Sequence, residues 1–525
     1  MSLEDLVPVV FLAALLVNLR ACLKLGLDWK GMLTTVGFVR RSHARLGELP
    51  AEDALEREPA APIFLHLVPA YQEPAIAGTL RALLASRYPH ARLYVVVVTK
   101  EEEERAPHPA MGISTGEVVR QFRETLPPYQ QKQLAHLVRP GPGRKAHQLN
   151  WALRPEALEA ILGDAVDPRR VFIGVSDADS LPDPDTYRWV AHRELEGPGA
   201  RAYQGITLSL ANYARHGIRG RICAIQQSSI FVRVSIARLI NEVKRVHFLG
   251  RFCARFPRLA PVVRPAFELF FRRSQICLGH NQFVRLDTLL EVGGFPESGA
   301  TEDSTLGYEL GRRGVLIEAI PMVELSDLPE TTEGVIRQNA RWYLGVLDDI
   351  SFLWRAWREA PSAYNLAQLV RHVGNKVVEW PIAALVYPVT GWIGWYLAFL
   401  YRGEHPALFY LAVGVPTLSL LLTVWVGGVV TQTLIEDLRP YLPRAVDLRR
   451  SSFKEKFLGT FRCQTYWLLA TRASWRVLWA LARTGRYDAA KTDRVSARPR
   501  GPRPLLELSR VPGVTVRGSR AEGRS

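Results

Sequence analysis

Cysteine is scarce in this chain: five residues in 525, with no two spaced as CxxC. That scarcity excludes a disulfide scaffold and a structural zinc module, and it fits a reducing compartment. Also missing is a Gly-rich loop after the first apolar run, which disfavours dinucleotide-binding and P-loop enzymes. Disorder as the dominant state is excluded too. Charged residues make up only 22% of the chain and hydrophobic ones 48%, ample to bury more than one core. The basic excess, 67 Lys and Arg against 51 Asp and Glu, comes with no recognised nucleic-acid motif, so no nucleic-acid partner is expected.

That +16 is concentrated. Residues 215–273 hold 13 basic and two acidic side chains, and residues 483–525 hold 11 and four, leaving the rest of the chain at −2. The first stretch interleaves Arg with Phe, Leu and Val, a pattern that suits anionic lipid headgroups beside a membrane. The second is rich in Arg, Pro and Gly and reads, over 486–525, as a disordered basic tail.

Long charge-free runs are present. Residues 380–401 and 406–435 contain 22 and 30 consecutive uncharged residues, each enough for a membrane span, so 378–436 reads as two transmembrane helices joined by a short turn at 402–405. Residues 6–19 are 14 uncharged residues, extendable if Arg20 and Lys24 snorkel, which gives an N-terminal span over 1–27; an interfacial or buried helix is the alternative. Lys and Arg follow the first and third segments and precede the second. By the positive-inside tendency the protein is therefore multi-pass in the cell (inner or plasma) membrane, with the region between the first two spans cytoplasmic. Residues 437–485 read as interfacial helices, with Arg472, Arg476 and Arg483 on one face and Trp residues largely on the other.

The cytoplasmic region, 55–350, alternates short apolar strands with helices. Strands are expected at 63–68, 93–98, 134–138 and 171–175, with helices near 75–86 and over 148–162, predicting an α/β domain with a largely parallel, buried sheet. Ligands of such sheets sit beyond the carboxyl ends of the strands. Polar residues collect there: Glu73, the 99–101 segment, and Asp177 with Asp179. Two carboxylates one residue apart can hold a hard divalent cation. The neighbouring pair Asp183 and Asp185 has the same spacing but opens a helix and reads as an N-cap.

Six motifs then follow in order: PAYQEP (69–74), GRKAHQLNWAL (143–153), SDADS (176–180), GHNQFVRLDTLLEVGGF (279–295), TED (301–303) and QNARW (338–342). Together they resemble the family-2 glycosyltransferases, above all the membrane-bound, polymer-forming branch of cellulose, chitin and hyaluronan synthases. The resemblance implies a GT-A fold, flanked here by transmembrane and interfacial helices. It also implies a nucleotide-sugar donor, Mg²⁺ or Mn²⁺, and inversion at the anomeric carbon.

By matching motifs, Glu73, Lys145, Asp177, Gln338 and Arg341 would bind the donor, and Asp179 with Asp177 the metal. Asp303 would be the general base, and Trp342, His280, Asn281 and Glu302 would face the acceptor. The blander readings are a surface charge for Lys145, a helix cap for Asp303, an interfacial anchor for Trp342 and a structural role for His280. The expected activity is transfer of a hexose from a UDP-sugar to a saccharide or lipid-linked acceptor, in polysaccharide synthesis if the enzyme is processive.

Two departures stand out. Where many relatives carry an acidic pair to grip the base, this chain reads VVVVTKEEEE (95–104), leaving Glu101 or Glu102 as substitutes. Two or three spans are also few for an enzyme that secretes its own polymer. It would then act as an oligomer, hand its product to a separate export partner, or glycosylate a lipid or short acceptor. The rival reading is a catalytically decayed, glycosyltransferase-like membrane scaffold or receptor.

Overall fold

The computed structural model describes residues 3–107, 112–163, 166–197, 199–400, 406–444 and 446–487. The expected turn at 402–405 and almost all of the expected basic tail lie outside them. The four apolar, β-branched runs form strands where the alternation predicts them: β1 (Ile63–Pro69), β2 (Leu93–Lys100), β3 (Leu134–Arg139) and β4 (Val171–Val175), all parallel. With β5 (Ala202–Leu208), β6 (Gln282–Arg285) and β7 (Ile317–Leu325) they build one seven-stranded sheet of order β3-β2-β1-β4-β6-β5-β7.

The sheet is mixed, since β6 runs antiparallel to both β4 and β5. After β5 the chain makes a long helical excursion, 209–281, and re-enters at the end it left, so β6 must run the other way. Apolar side chains bury both faces. Phe64, Tyr88, Tyr187 and Phe283 pack on one, and Leu65, Val96, Ile173 and Leu306 on the other. Helices on both faces thus cover a sheet whose strand ends are left to the loops.

The helix expected over 148–162 is two helices, Lys145–Ala152 and Pro155–Leu162. Pro155 has no N–H to donate and holds Arg154 extended (φ −66°, ψ 146°), so the first helix stops and a second starts with proline in its first turn.

Among the described residues, two helices, Pro8–His43 and Phe409–Tyr441, are long and apolar enough to cross a membrane. The N-terminal helix, Leu3–His43, is far longer than the expected 1–27. Its Arg20 and Lys24 do more than flank a span: both pair with Glu379, at 2.9 and 2.5 Å. Glu379 opens the helix Glu379–Leu400, which occupies the second expected span and packs against both the N-terminal helix and Pro406–Val424.

The basic insert divides. Its first half, the helix Ile218–Ile230 with a π-helical continuation Phe231–Ile236, is core: Cys223, Ala224, Val232 and Ile236 pack with Met32, Ile206 and Val426. Arg233 there is neutralised by Asp28 at 3.3 Å. A surface role for all of 215–273 is therefore overturned, because the period of its apolar residues faces other helices. The second half, with the helices Ala237–Arg255 and Ala260–Phe270, carries most of the exposed large apolar side chains, among them Phe248, Phe256, Leu259, Val262 and Phe270, with Ile218 exposed in the first.

Most of 437–485 is one helix, Phe453–Thr484, begun by a Ser452/Glu455 capping box and ended by Gly485 in the left-handed conformation. It leaves Trp475 and Trp479 exposed and packs Ala473 and Val477 against the helix Thr332–Glu359. Arg476 ties the two together through Glu333.

Candidate active site

The carboxyl end of β4 turns through Ser176–Ser180, and the amino end of the Lys145–Ala152 helix faces it. Lys145 Nζ reaches Asp177 Oδ1 at 2.6 Å, the Gly279 carbonyl at 2.6 Å and Glu302 Oε1 at 3.6 Å. Residues far apart in sequence thus meet at one ammonium. Burial works against the charge of Lys145, but Asp177, Glu302 and Asp303 outweigh it and hold its pKa above the ordinary lysine value.

Asp303 stands in the first turn of the helix Glu302–Arg312, where its Oδ1 accepts the Ser304 N–H at 2.8 Å. A Cβ on Gly279, whose φ is +76°, would come within 2.8 Å of Asp303 Oδ2, so only glycine suits that position on both counts. Burial, then the adjacent Glu302, push the Asp303 carboxyl up to about 7, against the pull of Lys145. A carboxylate tuned to neutrality can take up a proton at working pH.

That corner is braced from the helix Thr332–Glu359. Asp349 accepts the hydroxyls of Thr305 (2.9 Å) and Ser304 (3.0 Å), and Asp348 accepts the Ala300 N–H at 2.9 Å. Gly345 lies directly on Thr301, leaving no room for a Cβ. Asp349 was not singled out in the sequence, although its signal was there. Gln338, Trp342, Gly345 and Asp349 are spaced by four, three and four, one stripe of a helix. Gln338 is buried, and its Oε1 has no hydrogen-bond partner among the described residues. Arg341 and Trp342 are half-buried.

Glu324, on β7, is another residue that the sequence reading missed. It is fully buried and accepts from Ser176 (2.6 Å), Ser180 (2.8 Å) and His280 Nδ1 (2.7 Å). One carboxylate thereby fastens both ends of the SDADS loop and the GHN segment to the sheet. Its signal was a second charge, after the half-buried Glu318, inside a strand run of otherwise apolar residues, IEAIPMVEL. Burial opposes protonation of His280, but Glu324 and Asp177 raise its pKa. Asp179 is buried nearby and its Oδ2 accepts the Asp327 N–H at 3.2 Å.

Asn281 is placed elsewhere than an acceptor face. Its side chain covers Gly205 and donates to the carbonyls of Ile206 (3.0 Å) and Met322 (3.3 Å), where the β5–β7 register shifts. It is buried with φ +49°, a conformation asparagine tolerates.

On the β1 side, Glu73 is buried and its N–H donates to Thr115 Oγ1 at 2.9 Å. The acidic run after β2 forms the short helix Glu101–Arg105 and divides its labour. Glu101 pairs with Arg105, and Glu102 accepts from the Tyr71 hydroxyl at 3.0 Å. Glu103, buried, binds the Gln72 N–H (2.9 Å) together with the Thr115 N–H and hydroxyl. Glu103 is thus the carboxylate that binds the backbone of the PAYQEP loop, while Glu102 holds its Tyr71 hydroxyl.

Among the described residues no three His, Cys, Asp or Glu gather as a metal-holding group. Mg²⁺ and Mn²⁺ are commonly held by one or two carboxylates, with substrate phosphates and water completing the shell, and Asp177 with Asp179 at the strand end fits that donor set.

The family described as "Glycosyltransferase like family 2" matches residues 61–345. No curated protein matches the chain. Solved structures that it resembles include mannosyltransferase PcManGT from Pyrobaculum calidifontis, determined with GDP-Man and Mn²⁺. That pair is 17% identical with a TM-score of 0.38, over 88% of this chain and 98% of that one. Residues 1–349 of S. aureus TarS with UDP-GlcNAc give 13% identity and a TM-score of 0.32, over 69% and 90%.

Proposed function

From the premise that this chain belongs to Glycosyltransferase like family 2, we propose that it is a membrane-embedded, inverting enzyme that moves a hexose from a nucleotide sugar to a saccharide or lipid-linked acceptor. The observation that carries this reading is the convergence of Lys145, Asp177, Glu302 and Asp303 at one strand end, with Asp303 held near neutrality.

In this reading Asp303 takes the proton from the acceptor hydroxyl as that oxygen attacks the anomeric carbon. Lys145 offers its ammonium to the departing diphosphate, and Gln338 and Arg341 meet the same phosphates from their helix. Asp179, with Asp177, would hold the divalent ion, which when bound neutralises the charge growing on the leaving group. Glu73 borders the nucleoside, with Glu103 fixing the loop that carries it. Trp342, Glu302 and His280 face the acceptor, and Asn281 acts through the sheet as a positioning residue. The helices Leu3–His43, Glu379–Leu400 and Pro406–Val424 embed the protein with its catalytic domain on the cytoplasmic side, the orientation that the Lys and Arg flanks support.

The test is release of nucleoside diphosphate by the detergent-purified full chain, screened over radiolabelled nucleotide sugars with Mn²⁺ or Mg²⁺, with products partitioned into lipid and aqueous phases. Turnover should rise with pH through an apparent pKa near 7, the limb set by Asp303 among Glu302, Lys145, Asp349 and Lys376. Asp303→Asn should lower turnover by about 10²–10⁴-fold. Full turnover in that variant would overturn the assignment.

A further inference from the structure

Against the Glu302–Arg312 helix, and bounded also by Ala237–Arg255, Thr332–Glu359 and Ala363–His372, lies a cavity of about 120 Å³. Its lining carries four permanent cations, Arg238, Arg273, Arg371 and Lys376, against one carboxylate, Asp349. Asp349 is already engaged by the Ser304 and Thr305 hydroxyls. His372 adds no charge: burial, then Lys376, push its pKa down to about 4. Glu242, the next acid outward, accepts the Arg273 N–H and pairs with Arg245 at 3.6 Å.

The four cations are not equivalent. Arg371 donates to the carbonyls of Leu269 and Arg272, holding the end of the Ala260–Phe270 helix. Arg238 and Lys376 make no hydrogen bond or ion pair among the described residues. Burial lowers the pKa of both, with Arg273 adding to the effect at Arg238, which falls to about 10 against the pull of Glu242; at Lys376 the opposing pull is from Asp349 and Asp303. Half-buried cations outnumbering the carboxylates around them cost stability, and a bound anion lowers that cost.

The neighbouring residues suggest what kind of anion. Phe270, Phe271 and Val370 are each at least 60% exposed; the two rings lie in the chain between the Leu269 and Arg272 carbonyls that Arg371 grips, and Val370 precedes Arg371. A ligand with a phosphate at one end and an apolar chain at the other matches cations inside and exposed rings outside.

We propose that this cavity binds the phosphate group of an anionic lipid, with Arg238 and Lys376 meeting the phosphate and Phe270, Phe271 and Val370 meeting the first part of the chain. None of the donor-binding residues lines this cavity, although Ser304 and Thr305 in its wall follow Asp303 in the chain.

The experiment is calorimetric titration of the full chain, purified in neutral detergent, with dihexanoyl phosphatidic acid, dihexanoyl phosphatidylcholine and inorganic phosphate. Phosphatidic acid should bind saturably and at least about tenfold more tightly than inorganic phosphate, and phosphatidylcholine should not bind. Arg238→Gln and Lys376→Met should each weaken phosphatidic acid about tenfold or more. They should also raise the thermal midpoint of the ligand-free protein, which cations with a structural role would not do. No saturable binding, or undiminished binding in both variants, overturns the proposal. Equal affinity for inorganic phosphate overturns the lipid assignment, and a lowered midpoint in both variants assigns these cations to the fold.

Discussion

Two acidic pairs with identical spacing stand six residues apart, Asp177 with Asp179 and Asp183 with Asp185, and they do different work. The first pair belongs to a loop that the rest of the chain reaches toward: Lys145 meets Asp177, and Glu324 fastens both ends of the loop through Ser176 and Ser180. The second pair is consumed locally. Asp185 pairs with Arg188 and Arg87, each at 2.7 Å, and Asp183 accepts the Asp185 N–H at 2.9 Å. Asp185 occupies the N-cap position of Thr186–Leu195 without capping it through its side chain, because its oxygens are taken by the two arginines. Spacing is therefore a poor guide to chemistry; what surrounds the oxygens decides.

The contrast can be broken experimentally. The largest effect is expected from Asp179→Ala, which should cut transfer about 10²–10³-fold while leaving the thermal midpoint close to that of the parent. A variant that unfolds instead would make the first pair structural like the second. Asp185→Ala should do the reverse. Chemical denaturation should show a loss of about 2–3 kcal/mol, below the full value for a buried pair because Arg87 is largely exposed, with turnover per folded molecule retained.

The smallest effect belongs to Asp183, whose carboxyl is pushed up to about 6 by burial and the nearby Asp185. The folded protein holds that proton more tightly than the unfolded chain, so its contribution is full below about pH 4 and is lost as pH rises through 6. Asp183→Asn stays neutral and keeps an acceptor for the Asp185 N–H. Relative to the parent it should gain about 1 kcal/mol between pH 5 and pH 8, and an unchanged difference would remove Asp183 from the titrating groups.

Much of the site was legible because its residues sit in short motifs. Lys145, Asp177, Glu302 and Asp303 were all named from local strings, and the structure brings them within reach of one another. Glu324, Asp349 and Glu103 were not, since each acts through bonds to segments more than ten residues away and carries no motif of its own. Asn281 shows the opposite error. It lies inside a motif, yet its bonds go to backbone carbonyls of β5 and β7.

The basic insert makes the same point at larger scale. Composition marked all of 215–273 as surface, while Cys223, Val232 and Ile236 are core, because net charge is blind to which helical face a residue occupies.

By itself the sequence determined the strands β1 to β4, whose apolar, β-branched runs can be satisfied only in a buried sheet, and the long charge-free segments that form helices. It determined the family through six ordered motifs. Only the tertiary structure decided that β6 runs antiparallel, that Asp303 is held near neutrality, and that Arg238 and Lys376 line a cavity with four cations and one carboxylate. Periodicity and motif report what neighbours along the chain can do. Burial and charge pairing depend on residues tens to hundreds of positions apart, and no local pattern records those.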